Sequence, residues 1–140
     1  MVKNLKTSVP YRTLLGLLTA IFALRIVLQF WLRHHATDLL PSFELWHSET
    51  VPYRILLAAQ LVTLAAMATG AYAAPRRMAR PKIGRVLTGL GWVYICIMMF
   101  RLIVGAFGLS QHPWFDAAVP TVFHFALAAY VLVLGSAVRG

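Results

Sequence analysis

Acidic residues are scarce in this chain. Its 140 residues include only four, Asp38, Glu44, Glu49 and Asp116. Charged residues of both signs reach 12%, against about 25% in a typical soluble domain. Apolar residues make up 60%, and the mean hydropathy is +0.73. So little polar surface cannot cover a water-soluble core, which excludes an ordinary soluble domain. The length suits one bundle and no second domain.

Other absences narrow the chemistry. One cysteine, Cys96, excludes an intramolecular disulfide; inside an apolar run it reads as a small buried hydrophobe. The first apolar stretch is followed by Arg33-His34-His35 and not by a small-residue cleavage site, so it reads as a retained helix. No glycine-rich phosphate loop and no Gly-x-Ser-x-Gly nucleophile elbow occurs. No internal repeat is visible. Nothing identifies an enzyme or a particular cofactor.

What the chain does have is four long apolar segments, roughly 11–32, 53–74, 86–109 and 117–138. Each is long enough to cross a hydrocarbon core that needs about 20 helical residues. Lipid offers the backbone no hydrogen bonds, so the segments must be helices. The expected fold class is all-α: a polytopic integral membrane protein, a four-transmembrane-helix antiparallel bundle in one domain.

Basic residues set the expected orientation. Lys3, Lys6 and Arg12 begin the chain, Arg76, Arg77, Arg80, Lys82 and Arg85 link the middle segments, and Arg139 lies near the end. The other side holds Arg33 and Arg54. This bias predicts both termini in the cytoplasm, with a bacterial inner membrane as the expected home. It also accounts for the net charge of +9 without nucleic acid, because no basic soluble module is present. The bilayer is the expected partner, and the basic loops suit its anionic headgroups. Trp31, Trp46, Tyr53 and Trp114 fall near the expected outer boundary, where amphipathic rings settle.

The outer segment 38–47 carries Leu39, Phe43 and Trp46 at helical spacing. It reads as a short interfacial helix or an irregular loop, and those three residues form a candidate partner surface. Small residues on the second segment (Ala66, Gly70, Ala74) and the third (Gly84, Gly91, Gly105, Gly108) suggest close helix packing within the chain.

Four polar residues, Arg25, Gln60, Arg101 and His124, each lie deep inside a different apolar segment. Measured from segment midpoints, all four lie about 5 Å outside the bilayer centre. A charge in hydrocarbon costs about 2.5 kcal/mol or more, so such residues turn to a protein interior and are functional candidates by default. Gln29 lies one turn from Arg25, and Tyr94 shares a stripe with Arg101. Thr63 and Thr121 extend the layer from Gln60 and His124.

No acid lies at the level of the two arginines. Their planar forks suit carboxylate or phosphate, supplied by an outer-loop acid, a lipid or an anionic ligand. Histidines 34, 35, 47, 112 and 124 all lie in the outer half, but no two are spaced as in a helical zinc motif. A haem would have His124 as its one deep ligand. His124 is instead expected to be a neutral hydrogen-bond partner, oriented by Arg25 or Gln60.

Two functions follow as expectations. In the first, Arg25, Gln29, Gln60, Tyr94, Arg101 and His124 line a pocket for an anionic or polar-headed apolar ligand of quinone or lipid type. In the second, the protein is a structural or assembly subunit of a larger membrane complex. Its polar layer is then a structural network, with Glu49 or Asp116 folded onto it, and Leu39, Phe43 and Trp46 meet the partner.

Overall fold

A computed structural model describes residues 3–35, 39–40, 42–46, 51–73, 80–116 and 118–140, with no strand among them. Six helices follow in chain order: α1 Lys3–His34, α2 Phe43–Trp46, α3 Tyr53–Ala73, α4 Pro81–Ala106, α5 Pro113–Asp116 and α6 Ala118–Arg139. Within them, Pro10–His34, Tyr53–Ala73, Pro81–Ala106 and Val119–Arg139 are long and apolar enough to cross a membrane. The chain is an integral membrane protein.

Helix limits differ from the apolar limits for identifiable reasons. α1 begins at Lys3 and carries Pro10 inside it, whereas the apolar run starts near residue 11. Apolarity marks where a helix enters lipid, not where its backbone hydrogen bonds begin. α4 starts at Pro81, whose fixed φ and missing N–H suit the first helical position. Its other end stops at Ala106, short of residue 109. Gly108 adopts φ +60, its N–H bonds the Gly105 carbonyl at 3.1 Å, and Leu109 N–H bonds the Val104 carbonyl at 3.0 Å. This paired closure needs a left-handed residue, which glycine supplies without a Cβ penalty. Gly108 is therefore a helix stop with open space around it, not the packing residue its place among the small residues suggested.

Packing centres on α6. Its most extensive contact is with α4, followed by α1; α1 also packs on α3, which touches α6 more lightly. α2 lies on α1 and α6, and α5 lies on α4. Glycine permits the closest approach. A Cβ at Gly84 would lie 2.7 Å from the Gly135 carbonyl and 2.8 Å from the Arg139 nitrogen. A Cβ at Gly91 would meet the Leu132 side chain at 2.7 Å. Arg80 N–H bonds the Val138 carbonyl at 2.8 Å where the start of α4 meets the end of α6.

The apolar core joins Leu15, Phe22 and Ile26 of α1 to Met67 of α3 and Tyr130 of α6. The Tyr130 hydroxyl donates to the Met67 carbonyl at 2.5 Å and sits against Gly70, where a Cβ would collide with it. Ala66, expected beside Gly70 in a packing stripe, is exposed, and Ala74 lies outside the described residues. Threonines 19, 63, 69 and 88 donate to carbonyls four residues earlier in their own helices. That satisfies a hydroxyl without any neighbouring helix.

Cys96 corrects the sequence reading. It is exposed, on the face of α4 that also exposes Trp92, Met99 and Ile103. In a membrane protein an apolar run can face lipid as readily as the core, so hydropathy does not assign burial.

Candidate functional site

Each spanning helix contributes to one polar cluster. Arg25 and Gln29 lie one turn apart on α1, at 4% and 0% exposure; Gln60 of α3 is at 5% and Arg101 of α4 at 2%. His124 of α6 and Tyr94 of α4 are half-buried. Arg25, Tyr94, Arg101 and His124 are close enough to act electrostatically on one another, which brings α1, α4 and α6 together.

The glutamines form a relay. Gln60 Nε2 donates to Gln29 Oε1 at 3.0 Å, and Gln29 Nε2 donates to the Trp46 carbonyl at 3.1 Å. Both ends of the Gln29 amide are thus engaged, which ties α3 to α1 and α1 to α2. Gln60 Oε1 is buried without a hydrogen-bond partner.

His124 Nδ1 lies 2.5 Å from the Tyr94 hydroxyl, with the rings edge to face at 5.9 Å. The expected orienting groups were Arg25 or Gln60; Tyr94 holds that place. Its phenol can span the α4–α6 gap, while Gln60 is turned to Gln29.

The guanidiniums rest on aromatic faces. Arg25 lies 5.4 Å from the Phe123 ring and 6.0 Å from that of Phe22. Arg101 lies 4.5 Å from the Trp114 ring, and its Nε donates to the Trp114 carbonyl at 2.6 Å. Such faces attract a cation but accept no N–H in the plane of the fork. Arg25 Nε and Arg101 Nη2 are both buried with no hydrogen-bond partner.

Among the described residues the one carboxylate whose side chain is placed is Glu44, and it is exposed. Its own backbone N–H and the Ser42 hydroxyl hold it below the ordinary value of 4.5. Asp38 and Glu49 lie outside the described residues, and the Asp116 side chain is not described.

The remaining histidines have local tasks. His34 Nδ1 is 2.9 Å from the Phe30 carbonyl, and His35 stacks on Trp31 at 4.4 Å. His112 immediately precedes α5, its Nδ1 accepting from Trp114 N–H at 3.2 Å. His47 lies outside the described residues. No group of three or more His, Cys, Asp or Glu is gathered among the described residues. Thr121, three residues before His124 on α6, is buried, while Thr63 is satisfied within its own helix.

Leu39, Phe43 and Trp46 do not share an exposed face. Leu39 is 94% exposed, Phe43 packs on Tyr53, and Trp46 is buried against Phe123 at 5.7 Å. The segment 38–47, expected as a short interfacial helix or an irregular loop, has one four-residue helical turn among its described residues, Phe43–Trp46, and its ends Asp38 and His47 lie outside them. That turn packs Trp46 inward, where its carbonyl meets Gln29.

Sequence reasoning missed the roles of Phe22, Phe123, Trp114 and the Trp46 carbonyl. Phe22 carried a signal, lying three residues before Arg25 on the same face. The others carried none, since they depend on how separate elements dock. Comparison with known proteins yields no matching family model, no matching curated protein and no matching solved structure.

Proposed function

We propose that this integral membrane protein binds an anionic or polar-headed apolar ligand, of lipid or quinone type, in the cluster around Arg25 and Arg101. One observation carries the reading: two buried guanidiniums each keep an N–H without an acceptor, at Arg25 Nε and Arg101 Nη2. A buried donor left unmade costs about 1–3 kcal/mol, more when charged, so a site retaining two of them is suited to an incoming acceptor. In this reading Arg25 and Arg101 hold the anionic or carbonyl end, and Gln60 and His124 add directional bonds. Tyr94 forms part of the wall, and Gln29 braces Gln60.

The proposed setting is an antiparallel four-helix bundle with both termini cytoplasmic, in a bacterial inner membrane. Successive contacts of Gly84 with Gly135, Gly91 with Leu132 and Tyr94 with His124 favour opposed directions for α4 and α6. Basic residues at the start of α4 and the end of α6 favour the orientation.

Native mass spectrometry of the protein released from gentle detergent tests the function. Wild type is expected to carry a small molecule or tightly held lipid that Arg101→Ala loses. A bare wild-type chain, or equal retention by the variant, overturns the reading.

The second reading, a structural or assembly subunit, is favoured by the Gln60–Gln29–Trp46 relay and the Arg101–Trp114 bond, which join helices without any ligand. Exposed Leu39 is the remaining anchor for a partner. Reproducible recovery of a second membrane protein in gentle detergent, lost in Leu39→Asp, supports it; recovery of this chain alone counts against it.

A further inference from the structure

Resting on the pocket reading above, we infer that the occupant of this site is an anion, a phosphate or carboxylate group held between Arg25 and Arg101, and that it also bears a hydroxyl or protonated oxygen. A neutral quinone carbonyl does not meet the same requirements.

Charge is the first argument. Arg25 and Arg101 belong to different helices, lie within electrostatic range of each other and are almost wholly buried. Like charges brought together away from water repel each other and lose hydration. Among the described side chains those that face them are Tyr94, His124, Phe22, Phe123 and Trp114, and none of these supplies a negative charge at neutral pH. Glu44, the one described carboxylate side chain, is exposed on α2. A carbonyl oxygen could satisfy an N–H of either fork but would leave both charges standing. A phosphate or carboxylate offsets the charge and accepts from two donors at once.

Geometry is the second argument. α1 and α4 each pack on α6, and no substantial direct packing joins α1 to α4. The long side chains of Arg25, Arg101 and Tyr94 therefore come within electrostatic range of one another where the two backbones stand apart. The free donor on Arg25 belongs to α1 and the free donor on Arg101 to α4. A compact oxyanion with several acceptor oxygens suits donors presented by two elements.

Gln60 supplies the third. Its Nε2 is given to Gln29, one turn from Arg25 on the same face of α1, and its buried Oε1 lacks a donor. An amide oxygen accepts only, so its complement must carry a hydrogen. A phosphodiester with a neighbouring alcohol, a phosphate monoester and a hydroxy acid each offer acceptors and a donor in one group. Such a group can arrive on a lipid headgroup or as a free anion.

Thermal unfolding of the detergent-purified protein tests this, because a ligand bound only by the folded state raises the midpoint. The probes are phosphatidylglycerol, phosphatidylcholine, inorganic phosphate, glycerol 3-phosphate and a short-chain quinone. Phosphatidylglycerol or a free phosphate is expected to raise the wild-type midpoint by several degrees, and phosphatidylcholine and quinone are not. The shift should largely disappear in Arg25→Gln and in Arg101→Gln, fall in Gln60→Leu, and persist in Lys82→Gln/Arg85→Gln, which alters exposed charges at the start of α4. A shift with phosphatidylglycerol alone identifies a lipid source, and one with inorganic phosphate or glycerol 3-phosphate a soluble source; both support the anion. An arginine-dependent shift with quinone or phosphatidylcholine overturns the anion while leaving the pocket reading intact. If no probe gives an arginine-dependent shift and native mass spectrometry finds nothing bound, both fall. Arg101→Lys keeps the charge without the planar fork; if a glutamine variant fails to fold, a reduced but measurable shift in this one is the expected result, and an unchanged shift overturns fork recognition.

Discussion

Arg101 holds Trp114 in two ways at once. Its Nε donates to the Trp114 carbonyl at 2.6 Å, and its guanidinium lies 4.5 Å from the centre of the indole ring. One side chain of a spanning helix thereby fixes α5, the turn just before α6. A hydrogen bond to a charged group contributes about 1.5–3 kcal/mol. Arg101→Ala is expected to loosen α5, and faster amide exchange at Trp114 and Phe115 is the readout. Exchange unchanged from wild type would show that α5 stands without it.

The Tyr94–His124 pair invites a conservative test. Tyr94→Phe keeps the ring and removes the hydroxyl. The expected loss is about 1 kcal/mol of stability. The expected arrangement has the phenol donating to Nδ1, which lies 2.5 Å from it, so nitrogen NMR of labelled histidine should show His124 protonated at Nε2 alone at pH 7. A doubly protonated ring would instead point to a loop acid reaching the cluster.

Two glycines of α4 should respond in opposite ways to the same change. Gly84→Ala drives a methyl into the Gly135 carbonyl and the Arg139 nitrogen, backbone atoms that cannot swing aside. Overpacking of this kind costs about 1–3 kcal/mol. Gly89→Ala meets open space, and alanine is the better helix former by about 1 kcal/mol. Thermal unfolding in detergent should therefore fall for the first and hold or rise for the second. Equal effects would count against the close α4–α6 contact.

Orientation can be read with an impermeant thiol reagent on intact cells, in a Cys96→Ser background. Glu44→Cys and Arg80→Cys both place the thiol at exposed positions. Glu44→Cys is expected to react from outside and Arg80→Cys to be protected. The reverse pattern would invert the proposed topology.

Glu44 provides a pH signature outside the spans. Its carboxylate is held below its ordinary 4.5 first by its own backbone N–H and then by the Ser42 hydroxyl. A carboxyl depressed in the folded state stabilises that state above its unfolded pKa, and the contribution is lost as pH falls through the folded one. The α2 turn should therefore keep its start at neutral pH and loosen below about pH 4.5. Ser42→Ala should move the Glu44 titration, followed by carboxyl carbon NMR, up toward the ordinary value; an unmoved titration would exclude the hydroxyl as a cause.

The sequence by itself determined how many helices can span and which polar side chains are buried. Bilayer thickness sets a minimum apolar length, and lipid cannot hydrate a guanidinium or an amide. Four long apolar runs therefore became four helices, and Arg25, Gln60 and Arg101 lie inside. Spacing along one chain also placed Gln29 on the face of Arg25. Tertiary structure decided the rest, because helical period fixes directions around one axis and says nothing of how neighbouring axes are rotated or offset. Docking gave His124 to Tyr94 and not to Arg25, turned Trp46 inward onto Gln29, and left Cys96 exposed. It also brought the Trp114 carbonyl to Arg101, an acceptor that no side-chain pattern encodes because every residue carries one. Gly84 and Gly108 look alike in the sequence. One is a contact and the other a helix stop, since only the approach of α6 distinguishes a glycine that must lack a Cβ from one that must adopt a positive φ.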